Sequence, residues 1–304
     1  MHTSQTARTV NTMVDPSPPR VDPPSGARIN WMRHASARGV LQQVTSAFEE
    51  RGIPVLPVKG IITAHALYDD VAARTIGDID LRVSRRHFRQ VARIARSLGW
   101  STQTPGPVLW QTVLKVGGWE VDVECTLGPP GLCALSVENL IRRARRCVEP
   151  FGFPHLQPEL NDHALILVIN AFKDGLYPMP WALEDLRRIA THEHFDAEIV
   201  VARASEGRVA SALWIVADWL VEAHGAGEWR AVRDRIGSHP PSARVARTYG
   251  YVHRRGWPPK PGLLTTAGSA DSPFGCASGL ALALTGIVRG RCIRALRKVS
   301  RPST

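Results

Sequence analysis

The chain has 304 residues, 44% of them apolar and 21% charged, as in an ordinary globular protein, and carries a formal charge of +11. No apolar run reaches the ~18–20 residues that span a bilayer, so no transmembrane segment is expected, and the first 30 residues lack the apolar core of a signal peptide. The five cysteines form no CxxC pair, which argues against a disulfide framework or structural zinc and for a reducing, cytoplasmic setting.

The charge is concentrated at the ends. Residues 285–304 hold six cations and no acid, and residues 1–40 hold five cations against two acids. Such basic ends suit either solvent or an anionic partner.

Residues 1–27 read as a disordered tail, because PSPPRVDPP at 16–24 resists both helix and sheet. A helix is expected from about Ala35, with Val40, Val44 and Phe48 on one stripe and Gly52 past its end. Ile53 to Val58 reads as a strand, broken by Lys59-Gly60, and 61–74 as a helix. Residues 78–84 read as a strand. Ser84 then caps a helix with Phe88, Val91, Ala95 and Leu98 on one side and arginines on the other. Segments 108–116 and 119–125, joined by Gly117-Gly118, read as a hairpin. After Gly128-Pro129-Pro130-Gly131 the pattern turns helical, at 136–147, 159–175, 181–191, 207–224 and 241–254. The expected organisation is a tail (1–27), an α/β domain (28–130), a helical domain (131–255), a Pro/Gly/Ser-rich linker (256–275) and a basic C-terminal helix and tail (276–304).

Asp78-Ile79-Asp80 is the sharpest chemical feature. Alternation along a strand puts both carboxylates on one face, where they repel unless a cation joins them. Mg²⁺, a hard cation that keeps room for phosphate, suits them. In WEVDVEC, Glu120, Asp122 and Glu124 likewise share one face. Lys59-Gly60 sits at a strand-to-helix turn, where backbone N–H groups and the helix dipole favour phosphate. Arg74 lies four residues before Asp78, in reach of phosphate or of the acids. An acidic triad beside a phosphate cradle is the two-metal pattern of phosphoryl or nucleotidyl transfer.

The stretch 57–100 resembles the uncharacterised nucleotidyltransferases of the polymerase-β-like superfamily. The resemblance rests on Lys59-Gly60, Leu67-Tyr68, Arg74, Asp78-Ile79-Asp80 and Gly99-Trp100, in that order, and extends through VDVEC to Asp185 in EDLRRI. It implies an α+β fold, a small mixed sheet with flanking helices followed by a mainly helical domain. It implies Asp78, Asp80 and Asp122 as ligands of Mg²⁺ (or Mn²⁺), and Glu124, where family members often have His, as a base or supporting carboxylate. Lys59, Gly60, Arg74 and Gly77 become the nucleotide-binding residues. The activity implied is transfer of a nucleoside monophosphate from an NTP, with ATP the expected donor, to a small-molecule hydroxyl, releasing pyrophosphate. The rival readings are a toxin-like enzyme acting on tRNA or protein, and an inactive nucleotide- or RNA-binding module. Lys-Gly stands where better-known relatives carry Gly-Ser, and Asn170 near an expected His.

Other groups read as structural. His192-Glu193-His194 lacks the i, i+4 histidine pair of a helical metal site, and His65 and His163 fall on apolar helix faces. Arg142, Arg143, Arg145 and Arg146 read as a solvated face, the alternative being a grip for nucleic acid or a nucleotide tail.

Overall fold

The computed structural model describes residues 25–103, 110–128, 132–176, 179–237 and scattered positions between 271 and 285. The helix expected at 241–254, the linker and the C-terminal helix lie outside them apart from those positions.

The protein is α+β, with a five-stranded mixed sheet between two helical layers. Helix α1 (Ser25–Glu49) leads to β1 (Val55–Val58), α2 (Gly60–Leu67), β2 (Ile79–Val83), α3 (Arg85–Ser97), β3 (Ser101–Gln103), β4 (Gln111–Val116) and β5 (Trp119–Glu124). The strand order is β1-β2-β5-β4-β3. Among the described strands of this sheet only β2 and β5 pair in parallel, and that pairing sets Asp80 beside Asp122. Gly117 and Gly118 turn the β4–β5 hairpin with φ of 56° and 82°, the paired positive values of a type I′ turn.

Strand alternation gives the sheet two unlike faces. Ile79, Leu81, Val83, Val121 and Val123 pack with Ala37, Val40, Leu41, Val44 and Phe48 of α1 and Val91, Ile94 and Ala95 of α3. The α1 residues recur every three or four positions, so one stripe of the helix is buried. The opposite face carries Leu56, Val58, Asp80, Arg82, Asp122 and Glu124. Leu56 and Val58 join the core of α5 (Leu160–Lys173), α6 (Pro180–Thr191), α7 (Ala197–Glu206), α8 (Ala210–His224) and α9 (Arg230–Ile236). Both faces of β2 are therefore covered, and every residue of it is buried.

Several elements differ from the sequence expectation. Helix α1 starts ten residues before Ala35, so residues 25–27 of the expected tail are helical. The helix expected over 61–74 ends at Leu67, where Tyr68 turns extended; Asp70 then caps a separate 3₁₀ turn, accepting the Ala72 N–H. The segment 136–147 divides into α4 (Val137–Arg143) and β6 (Arg145–Cys147), which pairs with β7 (His155–Gln157). Strands β3, β6 and β7, three residues each, are too short to show a period of two.

Candidate active site

A cleft of about 520 Å³ opens between the polar face of the sheet and the helices α5 and α6. Its lining includes Lys59, Gly60, Arg74, Gly77, Asp78, Asp80 and Asp122. Seven of the eight expected site residues thus meet in one cavity; Glu124 does not.

Asp80 sits opposite Val58 on one side and Asp122 on the other. Because Lys59 follows Val58 directly, its ammonium returns to Asp80, with Nζ 2.5 Å from Oδ1. Burial works most strongly against the ammonium, but the charge and hydrogen bond of Asp80 together with Glu124 more than offset it, and the Lys59 pKa is raised. Asp78, two residues before Asp80, is pushed above the usual carboxylate range by burial and then by Asp80. Asp122 is pushed up to about 6 by burial, then by Glu124 and Asp80. Its Oδ2 accepts from Gln111 Nε2 at 2.8 Å, while its Oδ1 is buried without a hydrogen-bond partner among the described residues.

These three acids are the oxygen donors that could hold a divalent cation. Among the described residues no three carboxylate, histidine or cysteine side chains are already gathered into a ligand set; Asp80 is engaged by Lys59 and Asp122 by Gln111. The orphaned Asp122 oxygen and the raised carboxyls of Asp78 and Asp122 nonetheless mark a site short of positive charge, which fits a hard cation.

Glu124 shares the face of Asp122 but lies beyond the cleft lining, against Arg82. Its Oε2 lies 2.8 Å from Arg82, and both side chains are buried, with Lys173 3.8 Å from Oε1. Burial alone would raise Glu124, but Arg82 and then Lys173 hold it below the usual range. In the structure it neutralises the buried Arg82.

Arg74 departs from expectation in its partner. It clasps Asp185 of α6, with Nε 3.0 Å from both carboxylate oxygens and a terminal nitrogen 2.8 Å from Oδ2. Tyr68 donates to the same carboxylate at 2.8 Å, and the Arg74 guanidinium lies 4.4 Å from the centroid of the Trp181 ring. Trp181 lines the cleft and keeps 37% of its surface exposed. Asp185, an acid the resemblance singled out, thus tethers the wall of the cleft that carries Arg74.

The Lys59–Gly60 bend has an anchor that sequence reasoning left in the core. Lys59 has φ 56° and ψ −136°, a region that L residues rarely occupy. Its backbone N–H donates to Nε2 of His163 at 3.1 Å. Burial pushes the His163 pKa down to about 4, so the ring is neutral, and acceptance at Nε2 puts its proton on Nδ1. Gly60 opens α2, and a Cβ there would stand 3.3 Å from Ile76 Cγ2, a tight approach, and 3.7 Å from an Arg74 nitrogen, an ordinary contact.

The remaining candidates lie outside the cleft lining. His192 ends α6 at the surface. Arg143 pairs with Asp162 and Arg146 with Glu49, so half of the expected arginine cluster is neutralised locally.

Residues 25–223 match the family described as uncharacterised nucleotidyltransferase. The chain belongs to this nucleotidyltransferase family. Among solved structures it is similar to a crystal structure of ANT(2″)-Ia in complex with adenylyl-2″-tobramycin, at 18% identity and a TM-score of 0.40, over 56% of this chain and 96% of that one. A solution structure of the antibiotic-resistance factor ANT(2″)-Ia is similar at 15% identity and a TM-score of 0.39, over 74% of this chain and 99% of that one. No curated protein matches.

Proposed function

We propose that the protein transfers a nucleoside monophosphate from an NTP, with ATP as the donor, to a hydroxyl of a small molecule. The observation that carries this reading is the parallel register that sets Asp80 beside Asp122, with Asp78 two residues upstream, in the cleft that also holds the Lys59–Gly60 bend. Asp78, Asp80 and Asp122 would hold Mg²⁺ or Mn²⁺. When bound, the cation supplies charge neutralisation for the phosphates and a lowered pKa for the attacking hydroxyl.

The chain's own groups do the rest. The Gly60 N–H, at the positive end of the α2 dipole, faces incoming anionic oxygens. Lys59 brings the ammonium that balances Asp80 within reach of the same phosphates. Arg74, fixed by Asp185, and Trp181 form the opposite wall and orient the nucleotide. The acceptor oxygen bonds to the α-phosphorus, the bond from that phosphorus to the β-phosphate oxygen breaks, and pyrophosphate leaves with its electrons. The hydroxyl proton passes to solvent or to an oxygen of the acidic cluster. No helix among the described residues is long and apolar enough to cross a membrane; the setting we propose is the cytoplasm.

The test is incubation with Mg²⁺, each α-³²P-labelled NTP, and pools of amino-sugars, nucleosides and cell-extract metabolites. A labelled small molecule and released pyrophosphate are expected with one NTP, and Asp78→Asn with Asp80→Asn should abolish both. Equal labelling by that double variant overturns the reading.

A further inference from the structure

We propose that the exposed face of α3 binds the phosphodiester backbone of nucleic acid. The helix RRHFRQVARIARS carries five arginines, Arg85, Arg86, Arg89, Arg93 and Arg96, all exposed, and no acid. None of the five guanidiniums forms an ion pair among the described residues. Arg96 donates to the Ala92 carbonyl of its own helix, and Glu138 accepts only the backbone N–H of Arg85. This contrasts with Arg74, Arg82, Arg143, Arg203 and Arg233, each held by a carboxylate.

The arrangement is ordered. Arg85, Arg89, Arg93 and Arg96 recur at helical spacing, so they form one stripe, with Arg86 at its side. A four-residue step advances ~6 Å along the axis, comparable to the separation of successive phosphates along a strand. Every cation is arginine, whose planar fork grips phosphate oxygens in pairs. A membrane surface would call for apolar side chains to insert beside the charges. The large exposed apolar residue at this helix is Leu98, past its last turn. A phosphate ladder fits better.

The surface is separate from the cleft. Val91, Ile94 and Ala95 anchor α3 to the apolar face of the sheet, whereas Asp80 and Asp122 occupy the other face. The proposal therefore stands whether or not the nucleotidyl-transfer reading does.

The experiment uses the full chain, with fluorescence anisotropy of a labelled 20-nucleotide RNA and the matching DNA, single- and double-stranded, at 50 to 200 mM KCl. Binding that weakens with salt is expected. Arg86→Gln, Arg89→Gln and Arg93→Gln together should raise Kd by roughly tenfold or more and make the slope of log K against log salt shallower by about 2–3. The substitutions are at exposed positions of similar helix propensity, so the circular dichroism melt should be unchanged. Whichever nucleic acid binds more tightly identifies the partner. A second variant with the six C-terminal cations changed to Gln separates the tail from α3. Loss of binding in the tail variant alone overturns the proposal. So does absence of nucleic-acid binding, or a triple variant that loses only anionic vesicles or a poly-glutamate peptide.

Discussion

Replacing His163 with leucine removes one acceptor from beneath the Lys59–Gly60 bend while keeping the space filled. Two costs follow. The Lys59 N–H loses its partner, a loss of about 1–3 kcal/mol when the group stays away from water. The positive φ of Lys59, worth about 1–3 kcal/mol in such a region, loses the bond that sustains it. Relaxation of that dihedral would shed part of the strain, so we expect a net destabilisation of about 2 kcal/mol by urea unfolding, with Mg²⁺–nucleotide affinity falling about tenfold as the bend straightens. His163→Gln, which offers an amide oxygen in the same place, should recover much of both. The acid dependence gives a second measurement. The folded pKa of about 4 lies below the unfolded value, so protons bind the unfolded chain first. This contribution is complete above pH ~6.5 and is lost as pH falls, by about 2 kcal/mol between pH 6.5 and 5. Burial is its only cause, since no charged side chain acts on the ring. The leucine variant should lack that part of the acid slope. A variant that unfolds with the wild-type acid slope, or binds nucleotide as wild type does, would refute the role given to this ring.

Three further outcomes are expected. Glu124→Gln strands the buried Arg82 charge and should cost about 3–5 kcal/mol in denaturant unfolding, while Arg82→Met with Glu124→Leu should recover most of it; an unchanged midpoint in the single variant contradicts the pairing. Gly60→Ala should leave the melting temperature within a few degrees but weaken nucleotide binding about tenfold by isothermal titration, because the added methyl group is tight against Ile76 and fills the approach to the start of α2. Gly117→Ala should destabilise by about 1–3 kcal/mol, since its Cβ would fall 2.9 Å from Val40 Cγ2 at a φ of 56°, and the loss should appear as a lower thermal midpoint without loss of nucleotide affinity.

How much of this was legible in the sequence depends on the range of the signal. The alternation in WEVDVEC and the D-x-D spacing are local, and they place Asp80 and Asp122 on one face, as the strand register does. The Gly-Gly hairpin and the arginine-bearing side of α3 are local as well. Partnerships across the chain were not legible. Glu124 and Asp122 share a strand face, and only the location of Arg82 and Lys173 separates their roles. Arg74 looks like a phosphate ligand until Asp185, 111 positions later, arrives against it. His163 sits on an apolar helix face like any core histidine, and nothing nearby in sequence announces Lys59 as its partner. The break after Leu67 was hidden because Val71, Ala72 and Ala73 continue a helical composition that Asp70 restarts as a tighter turn.

The clasp between Arg74 and Asp185 has a mechanical meaning. It fastens the segment leading into β2 to the first turns of α6, and Tyr68 and Trp181 brace the joint from either side. Opening the cleft along this seam would require that buried ion pair to break. Any displacement of α6 would pull on the residues just upstream of Asp78.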